Sequence, residues 1–188
     1  MLSGKRVLDV AGATLALALC APVLVLAALM VRLCDGAPVL FRQPRLGRHR
    51  RPFSILKLRT MASGRVTPLG ALLRELGLDE LPQLVNVLRG EMSLVGPRPL
   101  TAEDVRRLGW EGPAFDLRWA VRPGLTGAAQ VAPYRRCHPR TTWRLDRAYV
   151  RGAGLGADLR ILAASILVPA LGKARARGAA RVLGGGRR

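Results

Sequence analysis

Acidic residues are scarce: Asp plus Glu number 12 against 31 Lys plus Arg, a formal net charge of +19. An imbalance of that size points to an anionic partner: nucleic acid, an anionic membrane surface or a phosphate-rich substrate. Aromatics are scarce too, with 3 Trp, 2 Tyr and 3 Phe. That is thin for a protein that stacks bases along a strand, so nucleic acid is the weakest of the three partners. Three cysteines at irregular spacing exclude a disulfide framework and argue against a structural zinc site. With two histidines there is no His-rich metal site either. No internal repeat is present. What the chain has is 188 residues with 49% apolar side chains. That suffices for one cored domain with an added segment, and it argues against general disorder.

The longest apolar stretch decides among the partners. Val10 to Val31, 22 residues, carry no charged side chain. A helix of that length spans a bilayer core. Pro22 sits in its middle, where proline removes a backbone hydrogen bond. Lys5 and Arg6 precede the stretch, and Arg32, Arg42, Arg45, Arg48, Arg50 and Arg51 follow it. Positive flanks favour the cytoplasmic side, here at both ends. A re-entrant helix that breaks at Pro22 and returns to the same face satisfies both flanks. A single span with Asp9 near one interface is the alternative, and the residues leave the two open. The basic start also fits a signal peptide, but the apolar run exceeds the usual ~7–15 residues of such a leader. Leu19 before Cys20 is too bulky for a lipoprotein site.

Downstream, Phe53 to Met61 alternates with a period near two, which predicts a short strand or hairpin after the basic loop that follows Phe41. Lys57 and Arg59 would share one face, as a phosphate contact or as a solvated basic edge. Residues 67–76 read as a helix, with Thr67 at the N-cap, Pro68 at the first helical position and Gly77 at the end. A second helix is expected from Asp79, with Glu80 and Pro82 in its first turn and Leu81, Leu84, Val85 and Leu88 on one face. Asp79 and Glu80 then sit at a helix N-terminus. They form either a capping pair, or a metal-binding and nucleophilic pair beside an anion site. Pro97 and Pro99 lock the backbone around Arg98, which suits a fixed phosphate contact or a rigid connector. The turns of Val121–Gly127 could form an anion nest around Arg122. A last apolar helix is expected from about Ala157 to Leu171, packed on the core or lying in the membrane interface. Beyond it runs a basic tail, 172–188, which reads as disordered and drawn to anionic lipid.

In this order the motifs resemble the bacterial sugar transferase family, the monotopic phosphoglycosyl transferases. The likeness runs through Lys5-Arg6-Val7-Leu8-Asp9, Ala21-Pro22 as a helix-breaking pair, and Lys57-Leu58-Arg59-Thr60-Met61. It continues through Leu78-Asp79-Glu80-Leu81-Pro82-Gln83-Leu84, Ser93-Leu94-Val95-Gly96-Pro97-Arg98-Pro99, Val121 to Gly127 and Leu145-Asp146-Arg147-Ala148-Tyr149-Val150. The resemblance implies a transferase moving a sugar-1-phosphate from a UDP-sugar to polyprenyl phosphate and releasing UMP. Asp79 would be the nucleophile, forming a covalent phosphosugar intermediate, with Glu80 its partner and Mg2+ beside Asp79. Lys57, Arg59, Arg98, Arg122 and Arg135 would bind phosphate or nucleotide. The implied fold is an α-rich α+β: a re-entrant membrane helix over 1–35 and a catalytic domain with interfacial amphipathic helices over 36–171. The catalytic domain would face the cytoplasm at the plasma membrane, against membrane lipids and without nucleic acid; a homo-oligomer stays open. The chain departs from the family pattern at Ala128, at Ala132 to Arg136 and at Gly152. An inactive relative that scaffolds a glycan assembly complex is therefore the second reading.

Overall fold

The computed structural model describes residues 4–132 and 138–170. Arg135 and the basic tail expected at 172–188 lie outside the described residues. The architecture is helix-rich, with small two-stranded sheets. The apolar stretch forms α1, Gly4–Met30, extended by one π-helical turn, Val31–Asp35. The break expected at Ala21-Pro22 does not end the helix, because Pro22 lies inside it. Proline removes one N–H and crowds the carbonyl four residues back, while the turns on either side keep their bonds.

One stripe of α1 packs on the rest of the chain on both sides of Pro22. Before it, Ala13 joins Ile55, Val87, Met92 and Val95. After it, Ala27 and Val31 join Leu58 and Leu73. The outward positions stay exposed: Leu15 61%, Leu19 71% and Val25 67%. Polar bonds fix both ends. Lys5 Nζ donates to Asp158 Oδ2 at 2.7 Å and to the Val95 carbonyl at 3.1 Å, and Arg6 donates to the Val87 and Leu88 carbonyls. At the far end Arg59 donates to the carbonyls of Asp35, Gly36 and Ala37, and Thr67 Oγ1 donates to Asp35 Oδ2 at 2.9 Å.

The basic loop expected after Phe41 is half strand. β1, Leu40–Leu46, pairs antiparallel with β2, Pro52–Leu58, in a register that sets Phe41 opposite Lys57 and Arg45 opposite Phe53. A pleated strand sends alternate side chains to one face. So Phe41, Gln43 and Arg45 share a face with Lys57. A ribbon of β3, Met61–Ala62, and β4, Arg65–Val66, leads into α2, Pro68–Leu76. Thr67 accepts the Gly70 amide at 2.9 Å, as an N-cap should. Gly77 ends α2 in the left-handed region at φ 71°, where a side chain would cost energy.

The helix expected from Asp79 starts later. Leu78–Glu80 form a 3-10 turn and α3 spans Gln83–Arg89. No side chain caps either segment. Pro82 has no N–H to give, so the regular ladder begins only after it.

β5, Ser93–Val95, pairs in parallel with β6, Gly124–Thr126, and joins the two Pro-rich motifs. The approach is close enough that a Cβ on Gly124 would lie 2.0 Å from the Gly96 amide nitrogen. The anion nest expected here does not form at Gly124: its amide donates to the Pro97 carbonyl at 2.9 Å, while the Gly96 amide donates to Thr126. α4, Ala102–Leu108, a 3-10 segment, Pro113–Trp119, and α6, Pro139–Arg151, enclose Trp110, Phe115, Trp119 and Trp143. Half of the chain's few aromatics gather there. α5, Ala128–Val131, is short, and α7, Leu155–Ala170, begins two residues before its expected start.

Candidate active site

A cleft of about 740 Å³ opens between the β1–β2 face, the β3 strand and the 3-10 turn. Lys57, Arg59, Asp79, Glu80 and Arg98 line it, five of the residues expected from the sequence. Arg122 does not. Its Nε donates to the Gly90 carbonyl at 2.7 Å, closing the end of α3. Arg59 reaches the cleft wall, but its guanidinium is spent on the carbonyls that follow α1. It ties the apolar helix to the cleft.

Asp79 is 8% exposed; among the described residues no side chain forms an ion pair with its carboxylate, which takes a backbone hydrogen bond from its own residue. Burial pushes its pKa above the ordinary value; Lys57 opposes this and Glu80 adds to it. A helix N-terminus would lower the pKa instead, but no helix begins at Asp79: the 3-10 turn ends at Glu80 and α3 starts at Gln83.

Glu80 behaves oppositely. Its Oε1 accepts Lys57 Nζ at 2.5 Å and Arg98 Nη2 at 3.2 Å. Burial pushes its carboxyl up, but Arg98 and Lys57 outweigh that and hold it below the ordinary value. The adjacent carboxylates are thus driven apart: one pinned and ionised, one unpaired.

Two arginines brace the Arg98 loop from behind. Arg118, 3% exposed, donates to the Arg98 carbonyl and pairs with Asp146 at 2.8 Å. Its guanidinium lies 5.5 Å from the Trp110 ring and 5.1 Å from that of Trp119. Arg45 donates to the next carbonyl, Pro99, and to Asp104 Oδ2, each at 3.2 Å. Consecutive carbonyls are therefore each held by an arginine with its own carboxylate partner. The half-exposed Arg98 side chain is left to face the cleft.

Sequence reasoning missed Arg45, Gln43 and Arg74, all of which line the cleft. The alternation of Phe41, Gln43 and Arg45 was a readable signal for the first two. Arg74 donates its Nε to Thr60 Oγ1 at 2.8 Å and borders Asp79 across the Gly77 turn; its position depends on that turn. The resulting lining is an unpaired carboxylate among Arg45, Lys57, Arg74 and Arg98. Such a set suits a phosphate-rich substrate.

A family model described as bacterial sugar transferase matches residues 2–171. The chain belongs to the bacterial sugar transferase family. Among its relatives is a UDP-glucose:undecaprenyl-phosphate glucose-1-phosphate transferase of Caulobacter vibrioides, 49% identical over 145 residues. That match covers 70% of this chain and 54% of the relative, so the chain spans about half of that protein. The match to the sugar transferase EpsL of Bacillus subtilis covers more of both chains, 38% identical over 86% of this chain and 85% of the relative. The exopolysaccharide production protein ExoY of Rhizobium meliloti is 37% identical over 84% and 81%. The family match embraces α1, the cleft and α7, so the long apolar helix and the cleft residues both lie within the matched region.

Proposed function

We propose that this sugar transferase moves a sugar-1-phosphate from a UDP-sugar to polyprenyl phosphate through Asp79. The observation that carries the reading is an unpaired, buried carboxylate set among four cations in one cleft. Asp79 Oδ attacks the sugar-bearing phosphorus of the diphosphate. The bond from that phosphorus to the bridging oxygen breaks, and UMP leaves with that oxygen. A phosphate oxygen of the lipid then attacks the same phosphorus. The bond to Asp79 breaks, the carboxylate is regenerated, and a sugar diphospholipid departs. Arg98, Lys57 and Arg74 offset the charge that gathers on the phosphoryl oxygens.

Glu80, held ionised, is a weak base. Its role in this reading is to fix Lys57 and Arg98 at phosphate distance. A hard cation fits the donor set: no side chain among the described residues forms an ion pair with the Asp79 carboxylate, and Mg2+ is commonly held by one or two carboxylates plus substrate phosphates. Asp79, with Glu80 adjacent, would hold it, and when bound it supplies charge neutralisation between carboxylate and diphosphate.

Both ends of α1 are bonded to the same domain, which supports entry and exit of the apolar stretch on one side of the bilayer. The basic flanks favour the cytoplasmic side, where UDP-sugars are made.

The test is UMP release by detergent-purified protein with Mg2+, polyprenyl phosphate and a panel of UDP-sugars, beside Asp79→Asn. Release with one donor, absent in the variant, is the expected result. A folded protein with no release across the panel would favour the scaffold reading.

A further inference from the structure

The cleft has two chemistries. Its floor is cationic, with the largely buried Arg45 and Lys57, while Arg74 and Arg98 are exposed. Its lip is apolar and open to solvent: Phe41 and Met61 line the cleft yet are 45% and 41% exposed. Met61 is paired across the β3–β4 ribbon with Val66, itself 44% exposed. Gly77 also lines the cleft, and the residue before it, Leu76, is 60% exposed. Phe41 alone could stack on the uracil of a UDP-sugar; the aliphatic Met61, Val66 and Leu76 offer nothing to its phosphates or hydroxyls.

The lip also lies next to the membrane-type helix. Arg59, a cleft residue, bonds the carbonyls of Asp35, Gly36 and Ala37 at the end of that helix. Leu73 of α2 and Leu58 of β2 pack on Ala27 and Val31 of α1. Where α1 leaves the apolar phase, its last turns stay exposed, with Leu29 at 52% and Leu33 at 74%. A ligand lying in the bilayer beside these turns is therefore adjacent to the cleft through Arg59, Leu58 and Leu73.

We infer that Phe41, Met61, Val66 and Leu76 form the track on which the hydrocarbon chain of the lipid acceptor docks while its phosphate reaches the cationic floor. The complement of a cationic floor with an apolar lip is an amphiphile with a phosphate head and a long apolar tail. The inference rests on the acceptor reading above and deepens it by naming the acceptor's face of entry. Recognition then has two parts: the phosphate by charge and the first isoprene units by burial against the lip.

The test compares two acceptors, a long-chain polyprenyl phosphate and a short water-soluble prenyl phosphate, in detergent micelles. The quantity read is the ratio of their KM values for wild type and for a Phe41→Ser, Met61→Ser double variant. Wild type should prefer the long chain. The variant should lose about tenfold or more of that preference, the scale of one or two buried apolar side chains. An unchanged ratio would overturn the track. So would weakened binding of the variant to vesicles of phosphatidylglycerol and phosphatidylethanolamine with the ratio preserved, because the lip would then serve bulk anchoring. Leu167→Ser, on the exposed face of α7, is the control for general loss of apolar surface. If wild type turns over neither acceptor, the acceptor reading fails rather than the track.

Discussion

Asp146→Ala tests how the Arg98 loop is held. Asp146 is 1% exposed, and among the described residues its polar partner is Arg118, 3% exposed, at 2.8 Å. Burial pushes the Asp146 carboxyl up against the pull of Arg118. Removing the carboxylate strands a guanidinium in a buried site between Trp110 and Trp119. Breaking a buried pair in this way costs about 3–5 kcal/mol. For a chain of this size that corresponds to a fall in Tm of roughly 10 °C. The double variant Arg118→Met, Asp146→Leu removes both charges and their desolvation cost, so most of the lost stability should return. The Arg98 carbonyl would still lack its donor, and a loop free to move by about 1 Å costs up to ~100-fold in rate. Thermal unfolding in detergent and UMP release, measured on wild type and both variants, separate the effects. The expected pattern is an unstable single variant and a stable but slow double variant. A single variant within about 1 kcal/mol of wild type would refute the buried-charge argument. A double variant with full activity would refute the brace.

Three further outcomes are expected. Because burial raises the pKa of Asp79, a smaller fraction is ionised at a given acidic pH than for an ordinary aspartate. The acid limb of the pH–rate profile should then lie above the usual carboxylate range, and Lys57→Met, which removes the opposing attraction, should move it higher still. A limb at the ordinary value would contradict the burial argument. For Glu80 the folded-state pKa lies below its ordinary 4.5, so its stabilisation is present above that value and is lost as pH falls through the lowered one. Glu80→Gln should therefore flatten the acid dependence of Tm, and an unchanged slope would count against the ion pairs with Lys57 and Arg98. Gly124→Ala places a Cβ 2.0 Å from the Gly96 nitrogen, and should cost about 1–3 kcal/mol or more by denaturant unfolding while loosening the Gly-Pro-Arg-Pro loop. A neutral result would show that the β5–β6 junction is slack.

What was legible in the sequence is what depends on neighbours along the chain. The charge-free run from Val10 to Val31, the Thr67 cap with Pro68 and Gly77, and the alternation through Lys57 each follow from local geometry, and each element is present. Asp79, Glu80 and Arg98 stood out because acidic residues are rare and because two prolines flank one arginine. Other features were decided only when distant segments met. Asp79 has no side-chain partner because no helix begins at the 3-10 turn for it to cap and the cations Lys57 and Arg98 are held by Glu80. Arg59 and Arg122 became ties to carbonyls because the ends of α1 and α3 fall within their reach. Arg45 and Arg118 brace Arg98 from positions 53 residues before and 20 residues after it in the chain. No local period encodes such a pairing. It exists because a buried carbonyl must find a donor and a buried guanidinium must find a carboxylate, and the packed fold alone determines which ones are near.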